Sequence, residues 1–189
     1  MSNASTLYKT ASGLLMASVA SGALVSSNRS AFAAGENITV SDAVTDMVTF
    51  SSGSHNNLTI TSTGDISLDE SAAVYIDSDS EGASGNTIVN RGAVDNEGRV
   101  ALSIYSDGDI SNNTITNEGS LGSYGEAIFF DSDSGNISSN DINNSGDIYS
   151  EDAEGVYLYT ESGETVSNNT ITNSGSIIAC LTSAPLGQI

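Results

Sequence analysis

The chain has 189 residues, with 24 acidic side chains against 4 basic ones and a formal net charge of −20. Lys9 and Arg29 fall within Met1–Ala33, so the remainder sets 2 basic against 24 acidic groups, a formal charge of −22. That balance excludes nucleic acid as a partner, because nothing could neutralise the phosphates, and it opposes binding to an anionic membrane surface.

Residues 1–33 read as a secretory signal peptide. Lys9 is the only charge before the apolar stretch Gly13–Val25, and "AFAA" supplies small residues for cleavage after Ala33. The stretch is rich in Ala, Ser and Gly. It is too short to span a bilayer, which takes about 20 apolar residues. The expected location is therefore the cell surface, the outer membrane or the extracellular space. Cys180 is the only cysteine, so no disulfide can form within the chain. Residues 34–54 are expected to form an N-terminal cap, centred on Glu36–Ser54.

A repeat occupies residues 55–178. The stretch "NNTITNEGSL" at 112–121 returns as "NNTITNSGSI" at 168–177, with the degenerate copy "SNDINNSGDI" at 139–148 between them. Gly64, Gly92, Gly119, Gly146 and Gly175 recur at nearly equal intervals. Around these glycines stand aligned columns: Ile60, Ile88, Ile115, Ile142 and Ile171 before, and Ile66, Val94, Leu121, Ile148 and Ile177 after. A polar column (Ser62, Asn90, Asn117, Asn144, Asn173) lies two residues before each glycine. Further on come the pairs Val74/Ile76, Leu102/Ile104, Ile128/Phe130 and Val156/Leu158, then Ile110, Ile137 and Val166. Short alternating segments with a fixed period predict an all-β fold, a parallel β-helix of about five coils with a period of about 28 residues. Asn and Gly at each corner predict a left-handed backbone and a tight bend, with Asn amides laddering along the axis. One coil alone cannot offset its ordering entropy and needs neighbours on both sides. The pattern lapses over 179–189, an irregular tail in which "PLG" stands where an apolar pair belongs.

"NTITNEGSL", "NTITNSGSI" and "NTIVNRGAV", following a signal peptide in a cysteine-poor acidic chain, resemble the passenger region of bacterial autotransporters. The resemblance covers about residues 55–178. It implies a right-handed parallel β-helix exported through a C-terminal outer-membrane barrel (type V secretion). It also implies a surface-structure or adhesion role toward a host or surface ligand, without catalysis. No barrel pattern follows, so the chain reads as an N-terminal fragment whose open last coil would self-associate through its strand edges.

Candidate chemistry is sparse. The only histidine is His55, in a loop, and neither G-x-S-x-G nor the GDSGS of protease-type passengers occurs. A polysaccharide-cleaving β-helix enzyme would need a basic residue in its groove, and only Arg91 and Arg99 are available. The acidic turns carry more weight. Asp77 and Asp79, Asp107 and Asp109, Asp131 and Asp133, then Glu161 and Glu164, follow the second apolar pair of successive coils. Stacked coils would bring them into columns of like charge, which Ca²⁺ relieves with oxygen ligands. The alternative function is therefore a secreted Ca²⁺-binding β-solenoid, with the first six of these carboxylates as its ligands. The Thr-x-Thr pairs at 59/61, 114/116 and 170/172 suggest a flat ice-binding array, but Thr87 pairs with Val89 and the next coil offers Asp141 and Asn143.

Overall fold

The computed structural model describes residues 17–18, 35–50, 52–78, 80–161 and 163–180. Apart from the two-residue strand Ala17–Ser18, the segment expected to be a signal peptide lies outside the described residues, as does most of the 179–189 tail. Every regular element among the described residues is a β-strand, and every strand pairing is parallel. The strands stack into four sheets of seven, six, five and four strands, so that each coil contributes one strand to each sheet in turn. This is a parallel β-solenoid of about five turns.

One central coil shows how the chain turns. Thr114–Asn117 lies in the first sheet, Ser120–Ser123 in the second, Ile128–Ser132 in the third and Ile137–Ser138 in the fourth. Alternation decides which side chains enter the core. In Thr114–Asn117 the pattern is half-exposed, buried, half-exposed, buried. The predicted inward rows are in register. Ile66, Val94, Leu121, Ile148 and Ile177 pair in succession in the second sheet. Val74, Leu102, Ile128 and Val156 do so in the third, as do Ile76, Ile104, Phe130 and Leu158. In the fourth sheet Ile110, Ile137 and Val166 continue a row that begins at Ala83.

Ile60 departs from its expected row. Leu58, not Ile60, pairs with Ile88, and Ile60 faces Asn90. Ser62 therefore drops out of the polar column. The cause is the corner. Thr61–Gly64 separates the strands Asn57–Ile60 and Asp65–Leu68, and the Gly64 N–H donates to the Thr61 carbonyl at 2.9 Å. Later coils turn this corner with only Arg91-Gly92 or its equivalents. Two extra residues slip the register by two, which preserves the face, so Ile60 and Ile88 are both buried.

The corners also work differently from expectation. Asn90, Asn117 and Asn144 are absent from the left-handed region, which is instead occupied by His55 (φ 60°), Asn112 (φ 56°), Ser139 (φ 59°) and Asn168 (φ 55°), with Gly85 (φ 66°) in the same column. That column precedes the first sheet. The glycine after each corner Asn is required by proximity instead. A Cβ on Gly92, Gly119, Gly146 or Gly175 would lie 2.0 Å from the carbonyl oxygen of the preceding coil's glycine.

Within the expected cap, three strands among the described residues continue the stack. Asn37–Val40, Ala43–Val44 and Val48–Phe50 pair in register with the coil that follows. At the other end the inward row is uncovered: Ile171 is 48% and Ile177 37% exposed, whereas Ile142 is 2% and Ile148 1%.

Candidate functional site

Nine asparagines, seven of them buried, run along the solenoid in two ladders. In the corner after the first sheet, Asn90 Nδ2 donates to Asn117 Oδ1 at 2.8 Å, Asn117 to Asn144 at 2.8 Å and Asn144 to Asn173 at 2.7 Å. A second ladder precedes the same sheet: Asn56, Asn86, Asn113, Asn140 and Asn169, linked at 3.0, 2.8, 2.9 and 2.9 Å. Each later amide of this second ladder also accepts the backbone N–H of the preceding coil's Asn, as Asn113 Oδ1 does from Asn86 N at 3.0 Å, while Asn56 Oδ1 accepts from Glu36 N at 3.2 Å. The columns around the corner glycines point to the first ladder and miss the second, although "NNTITN" displays both. Asn113, Ile115 and Asn117 share one parity and all face inward. These ladders are structural, and they leave the outward faces to carry chemistry.

The third sheet carries the densest outward chemistry. One outward row reads Thr49, Tyr75, Ser103, Phe129, Tyr157, and the neighbouring row reads Asp77, Tyr105, Asp131, Tyr159. The Phe129 and Tyr157 rings stack with centroids 5.4 Å apart and planes 10° from parallel, and Tyr159 lies 6.0 Å from Tyr157. Five aromatic side chains thus share one face, three of them in ring contact.

The acidic residues thread through this face in a pattern that differs from the expected columns. Asp77 and Asp131 each face a tyrosine on the next coil, because Tyr105 occupies the equivalent place between them. Asp107 and Asp133 do come together one coil apart, and Tyr105 bridges them. Its Oη donates to Asp133 Oδ2 at 2.6 Å and stands 3.0 Å from Asp107 Oδ1. The bond to Asp133, then burial, then Asp107 raise the Tyr105 phenol far above its usual range. Asp109 is engaged elsewhere, accepting the Asn136 backbone N–H at 2.7 Å and its Nδ2 at 3.3 Å. Asp79 lies outside the described residues. Glu161 and Glu164 are exposed. Among the described residues no three His, Cys, Asp or Glu side chains converge closely enough to hold a metal ion.

Asp131 sits at the centre. Burial, then the charge of Asp133, raise its carboxyl above the usual range, while Arg99 acts in the opposite direction. Its Oδ1 is buried without a hydrogen-bond partner among the described residues. A carboxyl raised by folding contributes stability that is present below its unfolded pKa and is lost as pH rises through the folded one. Removing the charge should therefore help only when Asp131 is ionised. Asp131→Asn is expected to raise Tm by on the order of 1–2 °C at pH 7, with the gain vanishing by about pH 3. Thermal scans of both proteins across that range test this. An equal gain at both pH values would reject the electrostatic account.

The remaining candidates are placed as follows. His55 is exposed and adopts the left-handed backbone of its column. Arg91 Nε lies 2.9 Å from Glu118 Oε2, and Arg99 Nε lies 3.9 Å from Glu126 Oε2, so each described cation faces a glutamate of the next coil. Thr59 faces Val89, and Thr116 faces Asn143, which interrupts the threonine array as the sequence indicated. Comparison with known proteins adds nothing to this geometry: no family model matches the chain, and no curated protein or solved structure matches it significantly.

Proposed function

We propose that the chain is an exported, non-catalytic passenger-type segment that serves at the cell surface as a structural or adhesion element. The observation that carries this reading is the outward face of the third sheet, where Tyr75, Tyr105, Phe129, Tyr157 and Tyr159 lie among carboxylates. A solenoid needs no aromatic rings outside its core to fold. Rings with a hydroxyl at the tip are the side chains that protein and ligand interfaces favour, because they supply contact area at low entropic cost. The parallel solenoid itself is compatible with a β-helix passenger, and the single cysteine at 180 is exposed and unpaired. The same physics extends to the uncovered end, where Ile171 and Ile178 would support edge-to-edge association of copies.

Two measurements test the proposal. Residues 1–33 fused to a β-lactamase lacking its own leader should confer ampicillin resistance, and deleting Gly13–Val25 should abolish it. The purified protein should bind a subset of arrayed glycans or matrix proteins, and Phe129→Thr with Tyr157→Thr should reduce that signal at least tenfold with Tm little changed. Loss of resistance with the intact leader would reject export. Undiminished binding by the double variant would reject the third sheet as the adhesive face.

A further inference from the structure

The 16 asparagines among the described residues divide into two sets. Ten belong to the interior. They are the nine of the two ladders and Asn96, which is buried and donates to the Glu70 carbonyl at 3.0 Å and to the Val100 carbonyl. Two residues after each of the ten stands Leu, Ile or Gly. The other six, Asn37, Asn57, Asn112, Asn136, Asn143 and Asn168, are exposed or half-exposed, and each has Ser or Thr two residues on. Strand parity explains the first set, because an inward Asn is followed at the same parity by an apolar inward residue or by a corner glycine. Parity does not explain the second. Outward positions of these sheets also hold Val89, Asp95 and Tyr149, yet no such residue stands two places after an outward Asn. Asn-x-Ser/Thr without Pro at x is the acceptor pattern for a sugar on the asparagine amide. The chain thus confines that pattern to its surface.

The structure ranks the six. Asn136 is engaged: its Nδ2 donates to Asp109 Oδ1 at 3.3 Å, and its Oδ1 accepts from Thr165 N at 3.0 Å and Thr165 Oγ1 at 2.8 Å. Asn143 is half-exposed in mid-strand between Thr116 and Thr172. Asn37 and Asn57 face each other on adjacent strands, roughly 4.8 Å apart, too close for two sugars. Asn112 and Asn168 are exposed at equivalent corners two coils apart, each just after the fourth-sheet strand and each with left-handed backbone, φ 56° and 55°. Only Ser139 stands between them, so roughly 10 Å of axis separates the two amides. Asn112 Nδ2 has one contact, Ser111 Oγ at 3.3 Å, and the Asn168 side chain makes no hydrogen bond among the described residues. The main chain beside them is held, with Thr114 N donating to the Asn86 carbonyl and Thr170 N to the Asn140 carbonyl, each at 2.8 Å. A transferase therefore has to reach side chains only. We propose that Asn112 and Asn168 are N-glycosylation sites. The co-substrate is a sugar activated as a nucleotide- or lipid-linked glycosyl diphosphate. Asn Nδ2 attacks its anomeric carbon, and the C–N bond forms as the C–O bond to the diphosphate breaks. The diphosphate leaves with that electron pair, and a base of the transferase takes the amide proton. The sites stand whether or not the third-sheet face is adhesive.

Peptide mass mapping of the protein purified from the cells that make it tests this. Cleavage after acidic residues releases peptides 110–118 and 165–189, which hold the two sites. Both are expected to carry whole sugar residues, and fragmentation should place them on Asn112 and Asn168, never on the ladder neighbours Asn113 and Asn169. A stepwise series of sugar masses assigns the nucleotide-linked donor, and one fixed block assigns the lipid-linked one. Thr114→Val keeps the shape of a half-exposed outward residue and removes the hydroxyl, so the protein should fold and the sugar at Asn112 should fall at least tenfold while that at Asn168 stays. Thr114→Ser restores the hydroxyl and should restore the sugar. Bare Asn112 and Asn168 in the native protein, sugar on Asn113, or undiminished sugar at Asn112 in the Thr114→Val protein would overturn the proposal.

Discussion

Gly119→Ala is expected to cost on the order of 3–5 kcal/mol, while Gly122→Ala, three residues away, should change stability by less than about 1 kcal/mol. Both substitutions add one methyl and reduce the freedom of the unfolded chain equally, so that contribution cancels between them. The difference lies in what each methyl meets. At Gly119 it would sit 2.0 Å from the Gly92 carbonyl oxygen and 2.8 Å from the Arg91 carbonyl carbon, both backbone atoms of the preceding coil. At Gly122 it meets a carboxylate oxygen that can rotate away. To relieve the first clash the coils must separate. Separation stretches the bond from Ser120 N–H to the Gly92 carbonyl at 2.9 Å and strains that from Asp147 N–H to the Gly119 carbonyl at 2.8 Å. Close-packed backbone has no rotamer with which to yield. Urea denaturation of the two variants measures this directly. Similar midpoints would show that the corner is looser than its contacts imply.

Asn113→Ala is the second large effect, expected at about 3–5 kcal/mol and a Tm lower by on the order of 10 °C. The Asn113 side chain donates to the Ala83 carbonyl at 3.0 Å and to Asn140 Oδ1 at 2.9 Å, and it accepts from Asn86 N at 3.0 Å and Asn86 Nδ2 at 2.8 Å. All of these groups are buried, so truncation leaves donors and acceptors that water cannot reach, each costing about 1–3 kcal/mol. The Asn86 backbone N–H loses its acceptor altogether. The Asn113 backbone N–H keeps its own, Asn140 Oδ1 at 3.0 Å. Hydrogen exchange should therefore accelerate at Asn86 while Asn113 stays protected, a directional signature that simple loosening would not produce. Asn143→Ala, on an outward-facing position of the neighbouring coil, should stay within about 0.5 kcal/mol. An unshifted unfolding midpoint for Asn113→Ala would mean that the ladder is not a source of stability.

These two effects mark where residue order suffices and where it does not. The period, the strand alternation and the inward rows through Val94, Ile104 and Ile137 follow from spacing alone, because a parallel stack places residues one period apart directly on one another. Spacing is silent about where in a coil an insertion sits. The interval from Gly64 to Gly92 matches the others although the corner just before Gly64 is two residues longer, and only strand pairing shows that Leu58, not Ile60, lies under Ile88. The same limit applies to the acidic turns. In sequence Asp77, Asp107 and Asp131 look equivalent, whereas the register sets Tyr105 between Asp77 and Asp131 and lets its hydroxyl bridge Asp107 and Asp133 instead. The buried ladder from Asn56 to Asn169 is hard to see along the chain because inward positions are sought among apolar residues, and an amide can stand there only when the next coil supplies its partner. The role of Gly119 is likewise invisible in residue order. Its necessity comes from the carbonyl oxygen of Gly92, one coil earlier, brought to within contact only by the stacking of one coil on the next.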